Sequence, residues 1–418
     1  MRKMKDSGIE WIGEIPESWD VSKSKYFYTC LDGRRVPLDA SQRNPGQYPY
    51  WGAGSIMDYI DDFIFDEEIV LLGEDGAPFF DKNRPVSFVV NEKVWVNNHI
   101  HVIKPNSDVN AKFMMYWFNT VDYGTYINGS ILNKLTQSNM DNIAFVKVPY
   151  DEQVQIVNHL DKKCAEIDAI IAAKEKTNEL LKERRQSIIY EAVTKGLDPT
   201  VPMKDSGIEW IGDIPESWSF SKLKYDAYMK GRIGWQGLKA DEFIEEGPYL
   251  VTGTDFEDGR VCWERSYHIS DERFNEAPEI QLKEADLLIT KDGTIGKLAY
   301  IDFLPGPASL NSHLLVIRPK KERFLNKYLY WVLSSDVFFQ YTEYAQDGTI
   351  MASLSQEKIS QFVFGLPPID EQDQIARFLD EKCAELDALI CSNESTIEKL
   401  KEYRQSVIYE AVTGKIEI

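Results

Sequence analysis

Residues 4–19 read MKDSGIEWIGEIPESW and residues 203–218 read MKDSGIEWIGDIPESW, fifteen identities in sixteen positions at an offset of 199. A second pair of blocks repeats at a different offset. Pro149–Gly196 and Pro368–Lys415 agree at 30 of 48 positions, 219 apart. Both run from DEQ-x-QI through LD-x-KCAE-x-DA to RQS-x-IYEAVT. Self-similarity at a fixed offset marks a structural unit used more than once, so the chain reads as a tandem duplication.

Between the repeated blocks the sequences diverge, yet a skeleton of landmarks persists. Tyr48-Pro-Tyr-Trp-Gly-Ala-Gly54 aligns with Gly247-Pro-Tyr-Leu-Val-Thr-Gly253, and Leu71-Leu-Gly-Glu-Asp-Gly76 with Leu288-Ile-Thr-Lys-Asp-Gly293. Val96-Asn-Asn-His-Ile-His-Val-Ile-Lys-Pro105 aligns with Leu310-Asn-Ser-His-Leu-Leu-Val-Ile-Arg-Pro319, and Gly129-Ser-Ile-Leu with Gly348-Thr-Ile-Met. The offset grows from 199 to 217 between the first two landmarks, which places an extra segment near Glu257–Asp286. One fold used twice with different loops accounts for all of this. The expected layout is a globular module over 1–148, a helix and linker over 149–202, a second module over 203–367 and a second helix over 368–418.

The repeated helices carry their own message. Residues ~152–193 contain neither Pro nor Gly. Apolar or small side chains recur at heptad spacing, with Val157, Cys164, Ile171 and Ala192 in one row and Leu160, Ile167, Leu181 and Ile188 in the other. The second copy offers Ala376, Cys383, Ile390, Ile397 and Ala411 beside Leu379, Leu386, Leu400 and Val407. Such a stripe predicts a helix packed along its length on another helix. The matching face belongs to its own copy, and two similar units in one chain pair about an approximate twofold axis, so an antiparallel pair is expected. Asp151 and Asp370 are the expected N-caps.

Composition narrows the function. A chain of 418 residues with 43 % apolar residues holds two domains and real cores. It has no apolar run of about 18 residues, so no membrane span is expected. The opening Met1-Arg-Lys-Met-Lys-Asp leads into no apolar signal region, and the five cysteines form no CxxC pair or Cys/His cluster. A reduced, cytoplasmic location is therefore expected. The net charge of −21 argues against coating nucleic acid by charge alone. That charge is uneven: residues 20–148 carry −4, residues 219–367 carry −5, and 368–418 alone carry −6. DNA contact would have to come from local basic clusters or be shared with a more basic partner.

Catalytic motifs are absent from the sequence. Asp292-Gly-Thr-Ile-Gly-Lys297 has two residues between its glycines where a phosphate-binding P-loop needs four. There is no GxGxxG, GxSxG or HExxH, and neither Asn44-Pro-Gly46 nor Leu366-Pro-Pro-Ile369 supplies the NPP-aromatic motif of amino-methyltransferases. His99 and His313 fall at matching points of the skeleton, where a structural hydrogen bond is the expected role. No metal site and no cofactor in this chain are expected.

Several loops do suit a polymer with varied edges. Arg34 and Arg35 lie in a turn-rich stretch whose counterpart is Gly231-Arg-Ile-Gly-Trp-Gln-Gly237, bringing Arg232, Trp235 and Gln236. Arginine bonds guanine, and glutamine bonds adenine, through two atoms each. Asp75 and the Lys291-Asp292 turn, with Thr294, end short apolar strands, and Lys82, Arg84 and Lys297 lie just beyond. A third pair of loops offers Asn133, Lys134 and Gln137 in one module and Gln346, Thr349 and Ser353 in the other. Any one of these is also an ordinary polar surface turn. The set gains weight because the frame repeats while the presented side chains change.

With these residues in view, the chain resembles the specificity subunit of Type I restriction-modification systems. The resemblance covers nearly the whole chain and is carried by the duplicated KDSGIEWIG-[ED]-IPESW segments and by the helices that begin P-x-DEQ-x-QI and end RQS-x-IYEAVT. It implies an α+β chain with a pseudo-twofold internal repeat: two globular target recognition domains, each reading half of a split DNA site, and a long antiparallel two-helix coiled coil that fixes the gap. It further implies that two modification subunits bring S-adenosylmethionine and adenine methylation, that restriction subunits bring ATP and Mg, and that the specificity chain is not catalytic. A coiled-coil scaffold joining partners without reading DNA is the alternative, and a single-chain methyltransferase or nuclease is a more distant one.

Overall fold

In a computed structural model of the chain, residues 2–127, 133–232, 238, 242–292, 295–344 and 354–418 are described. The glycine landmarks at 129–132 and 348–351 lie outside them. The chain divides into two compact units. The first joins residues 1–176 to 392–418, and the second is 177–391. Each unit thus takes the beginning of one repeated helix and the end of the other.

In the first unit, Ile69–Gly73 is one of two interior strands of a four-stranded antiparallel sheet ordered Tyr28–Cys30, Ile100–Pro105, Ile69–Gly73, Ser87–Val90. Its residues 69–72 are fully buried, as an unbroken apolar run between turn residues requires. Helix Ala111–Phe118 packs against this sheet, and its N-terminal amides are capped by the Asn110 side chain. Pro45–Trp51 sits between Ile56–Ile60 and Trp95–Val96 in a three-stranded sheet.

The second unit repeats this pattern. Its four-stranded sheet runs Ala227–Lys230, Leu314–Pro319, Leu287–Thr290, Leu298–Tyr300, and its three-stranded sheet places Ile244–Val251 between Tyr267–His268 and Ala308–Leu310. Pairing senses match in both sheets. The expected extra segment is present: a short hairpin of Phe256–Glu257 with Arg260–Val261, then helix Asp271–Asn275. Among the described residues no helix is long and apolar enough to cross a membrane.

The two long helices span Tyr150–Lys195 and Ile369–Val412. They start earlier than expected. The Pro149 and Pro368 carbonyls already accept the Gln153 and Gln372 amides at 3.0 Å. Asp151 and Asp370 therefore lie in the first turn and are not caps. Their charge there meets the positive end of the helix dipole.

The repeated motifs explain one another inside each unit. The Trp19 indole donates to Glu152 at 3.0 Å, and that of Trp218 donates to Glu371 at 3.1 Å. Gln153 is buried and bonds the Asn110 amide and the Asp108 and Val148 carbonyls, while Gln372 does the same for Leu325, Arg323 and Pro367. The Tyr409 hydroxyl lies against the Trp11 and Ile12 carbonyls, and Tyr190 bonds the Ile211 carbonyl. Each W-x-x-E/D-IPESW hairpin is thus gripped by the start of one long helix and the end of the other.

That grip fixes the helices as antiparallel in both units. In the first, Asp168 pairs with Arg404 at 3.0 Å and Lys174 with Asn393 at 3.0 Å, partner numbers falling as position rises. In the second, Arg185 pairs with Asp387 at 3.0 Å. Asp168–Arg404 and Arg185–Asp387 are equivalent under the 219-residue offset, so each unit holds its own copy of one pairing. Burial is densest near the globular parts, with Val157, Leu160, Cys164 and Ile167 beside Val407, Ile408, Ala411 and Val412, and Ile189, Ala192 and Val193 beside Ile375, Ala376, Leu379 and Cys383, while Ile390 and Ile397 of the stripe are buried at mid-helix. Ile171, Leu181, Ile188, Leu386 and Leu400 of the predicted stripe are only half-buried.

Candidate nucleic-acid interface

At one end of the first unit's four-stranded sheet, three stretches chosen separately from the sequence meet. The Asp32–Arg35 turn follows strand Tyr28–Cys30, Glu74-Asp75 follows Ile69–Gly73, and Asn133–Leu135 lies across them. The Leu135 amide donates to the Glu74 carbonyl at 2.7 Å, and Asp75 and Lys134 form an isolated bridge. The Lys134 ammonium sits 3.1 Å from Glu74 and 3.7 Å from Asp75, and the Glu74 carboxylate holds it above its ordinary pKa. Arg35, Asp75 and Lys134 are therefore brought into one cluster.

Arg35 has an inward role there, contrary to the expectation that it faces a ligand. Its guanidinium bonds Glu74 at 2.6 Å and the Ile100 carbonyl at 2.9 Å and lies 3.2 Å from Asp32. The physical reason is the demand of two half-buried carboxylates and a strand-end carbonyl for donors. His101, buried beside it, was missed by sequence reasoning because its counterpart is Leu315. Its Nδ1 lies 2.6 Å from Asp32 and its Nε2 lies 2.8 Å from the Leu135 carbonyl. Burial alone would raise the Asp32 carboxyl. The His101 hydrogen bond and charge, the Val102 amide and Arg35 overcome this and hold it below its ordinary value. Asp32, Glu74 and His101 have metal-ligand chemistry and spacing. Their ligand atoms are nevertheless engaged by Arg35 and one another, so the cluster is an internal ion-pair network.

Arg232 is corrected in the same way. It is buried, donating from Nε to the Leu310 carbonyl at 3.1 Å and from Nη2 to Ser309 at 3.0 Å, and burial lowers its pKa. Arg35 and Arg232, from counterpart loops of the two modules, both turn inward to bond backbone carbonyls of neighbouring strands. Arg34 is outward, its side chain 47 % exposed, bonded to Glu67 and lying over the Phe65 ring.

The remaining predicted residues of the first unit, Lys82, Arg84, Asn133 and Gln137, are exposed. Lys82 and Arg84 lie in a turn tied by Asp81, and Gln137 begins a helix capped by Thr136. In the second unit Lys297 is exposed, and its backbone pairs with Thr290. Lys291 bonds Asp292 at 2.6 Å. Burial pushes the Asp292 carboxyl up, and Lys291 and His313 outweigh that to lower it. Trp235, Gln236, Thr294, Gln346, Thr349 and Ser353 lie outside the described residues.

The two units thus share a scaffold and differ in what stands on it. Glu74 is replaced by Lys291, Asn98 by Ser312 and His101 by Leu315 at equivalent places. Comparison with known proteins agrees with this duplication. The family model for the Type I restriction modification DNA specificity domain matches twice, over residues 16–182 and 234–401. The chain is 22 % identical to the Type I restriction enzyme MjaVIII specificity subunit of Methanocaldococcus jannaschii, over 97 % of this chain and 94 % of that one. It is 21 % identical to the EcoDI specificity subunit of Escherichia coli, over 97 % and 90 %. In structure it resembles a chain solved for the assembly and conformational transition of the type I R-M system, with a TM-score of 0.70 at 15 % identity over 96 % and 99 % of the two chains. It also resembles the HsdS subunit from Thermoanaerobacter tengcongensis, with a TM-score of 0.51 at 15 % identity over 96 % and 98 %. With both of its halves matched and its two units built alike, the chain belongs to the Type I restriction modification DNA specificity domain family.

Proposed function

We propose that this chain is the DNA-reading specificity subunit of a Type I restriction-modification complex, each unit reading one half of a split, asymmetric target. The observation that carries this is the pairing of one scaffold with two sets of groups: exposed Arg34, Lys82, Arg84, Asn133, Lys134 and Gln137 in one unit, and half-buried Lys291 with exposed Lys297 in the other. Different groups on equivalent loops read different base edges. The antiparallel helices serve as the spacer between half-sites. The chain itself is non-catalytic and cytoplasmic. Two modification subunits dock on its helical regions and bring S-adenosylmethionine for adenine methylation, and restriction subunits bring ATP and Mg. The acidic helices favour such protein partners, which share the DNA contact and offset the chain's net charge of −21. Methylome sequencing of cells carrying this chain and its modification subunit tests the reading. The expected product is a two-part motif with unlike halves, and a symmetric or unsplit motif would sink it.

A further inference from the structure

Asp75 and His99 in the first unit and Asp292 and His313 in the second form the same pair, built the same way. His99 Nδ1 lies 2.5 Å from Asp75, and His313 Nδ1 lies 3.4 Å from Asp292. Each histidine amide is capped by an asparagine two residues earlier, Asn97 at 2.8 Å and Asn311 at 3.0 Å. Each histidine carbonyl accepts the amide of Glu74 or Lys291, and the carbonyls of those residues accept the amides of Leu135 and Leu354.

None of these turn bonds uses the imidazole ring. Any residue supplies the amide and carbonyl that hold the loop, yet both loops carry histidine. Nor is the ring a packing element, since its side chain is 51 % exposed in the first unit and 62 % in the second. The carboxylate takes Nδ1 and fixes the ring, while Nε2 has no partner among the described residues. A lysine ammonium lies at the carboxylate in both units but comes from different places: Lys134, 3.7 Å from Asp75, and Lys291, 2.6 Å from Asp292. The charge arrangement persists although the sequence position of the cation does not.

From this geometry we infer that the two Asp–His pairs are backbone-phosphate contacts, one on each half-site. The inference rests on the DNA-reading function proposed above. Groups that read bases must differ between units that read different half-sites. A group kept identical on otherwise divergent loops meets something identical in both half-sites, and that is the sugar-phosphate backbone. In the complex the imidazole bridges the aspartate and a phosphate. It donates Nδ1–H to the aspartate and Nε2–H to a phosphate oxygen. The nearby ammonium keeps the aspartate from repelling that phosphate.

The test uses the chain assembled with its modification subunits. Binding to cognate and scrambled duplexes is followed by fluorescence anisotropy across a salt series, for wild type, His99→Ala, His313→Ala and the double variant. Each single change is expected to weaken both duplexes by the same factor, on the order of ten-fold. Each is expected to make the slope of log K against log salt shallower by about 0.9, and the double variant by about twice that. His99→Arg and His313→Arg restore the charge and are expected to restore the slope. A loss confined to the cognate duplex, or an unchanged slope, overturns the inference. Wild type failing to prefer the cognate duplex overturns the DNA-reading function instead, a separate result.

Discussion

Arg35→Ala separates the inward role of this guanidinium from a base-reading one. The side chain is 13 % exposed and satisfies Glu74, the Ile100 carbonyl and Asp32, with His101 completing the network. Removing it leaves Glu74 with Lys134 and Asp32 with His101 and the Val102 amide, a partial loss of about 3 kcal/mol at the low end for a broken buried ion pair. For a unit of roughly 200 residues, a loss of about 3 kcal/mol lowers the melting temperature by roughly 6–12 °C. Calorimetry of the full chain is expected to show the first unit's transition move and the second's remain. Arg34→Ala, whose partner pair is half-exposed, is expected to cost under about 1 kcal/mol. The pH dependence has a definite sign. Asp32 is lowered in the folded state, so its stabilisation is complete above the ordinary value of 3.8 and is lost as pH falls through the lowered value. The part of the difference between wild-type and Arg35→Ala melting temperatures that runs through Asp32 should therefore shrink only as pH falls below 3.8 through the lowered value. An Arg35→Ala chain that melts like wild type but no longer binds its target would refute the reasoning.

Two further outcomes follow from the helices and their ends. Inserting one heptad into both long helices lengthens the pair by about 10 Å, so the unread gap in the methylated motif should grow by about 3 base pairs; an unchanged gap would mean the helices do not set the spacing. Gly414, at φ +70°, ends the second long helix where an added Cβ would lie 2.5 Å from the Pro16 ring and 2.9 Å from Trp19. Gly414→Ala should therefore destabilise the first unit by about 3 kcal/mol in a denaturant melt, while Gly207→Ala, equally left-handed but with nothing within 4 Å, should cost about 1 kcal/mol; equal costs would show that the close packing at Gly414 is unimportant.

The duplication, the two long helices and the insertion near Glu257–Asp286 were all legible in the sequence, because each leaves a local record: identical blocks, a heptad stripe, a jump in offset. So was the presence of DG and N-x-H landmarks at equivalent places. Which arginines face outward was not legible. Arg34 and Arg35 are chain neighbours of identical chemistry, and only the positions of Glu74, Asp32 and the Ile100 carbonyl, brought in from distant segments, turn one of them inward. His101 escaped notice because its burial depends on Asp32 and Leu135, residues 69 and 34 positions away. The reason for the DEQ motif was likewise hidden until Trp19 met Glu152 and Gln153 met Asn110. Sequence alone therefore determined that this protein is one fold used twice with an antiparallel helical link, since repetition and periodicity are properties of the chain. Tertiary structure decided which polar groups are free to meet a ligand, since that depends on which buried acceptors claim their hydrogen bonds first.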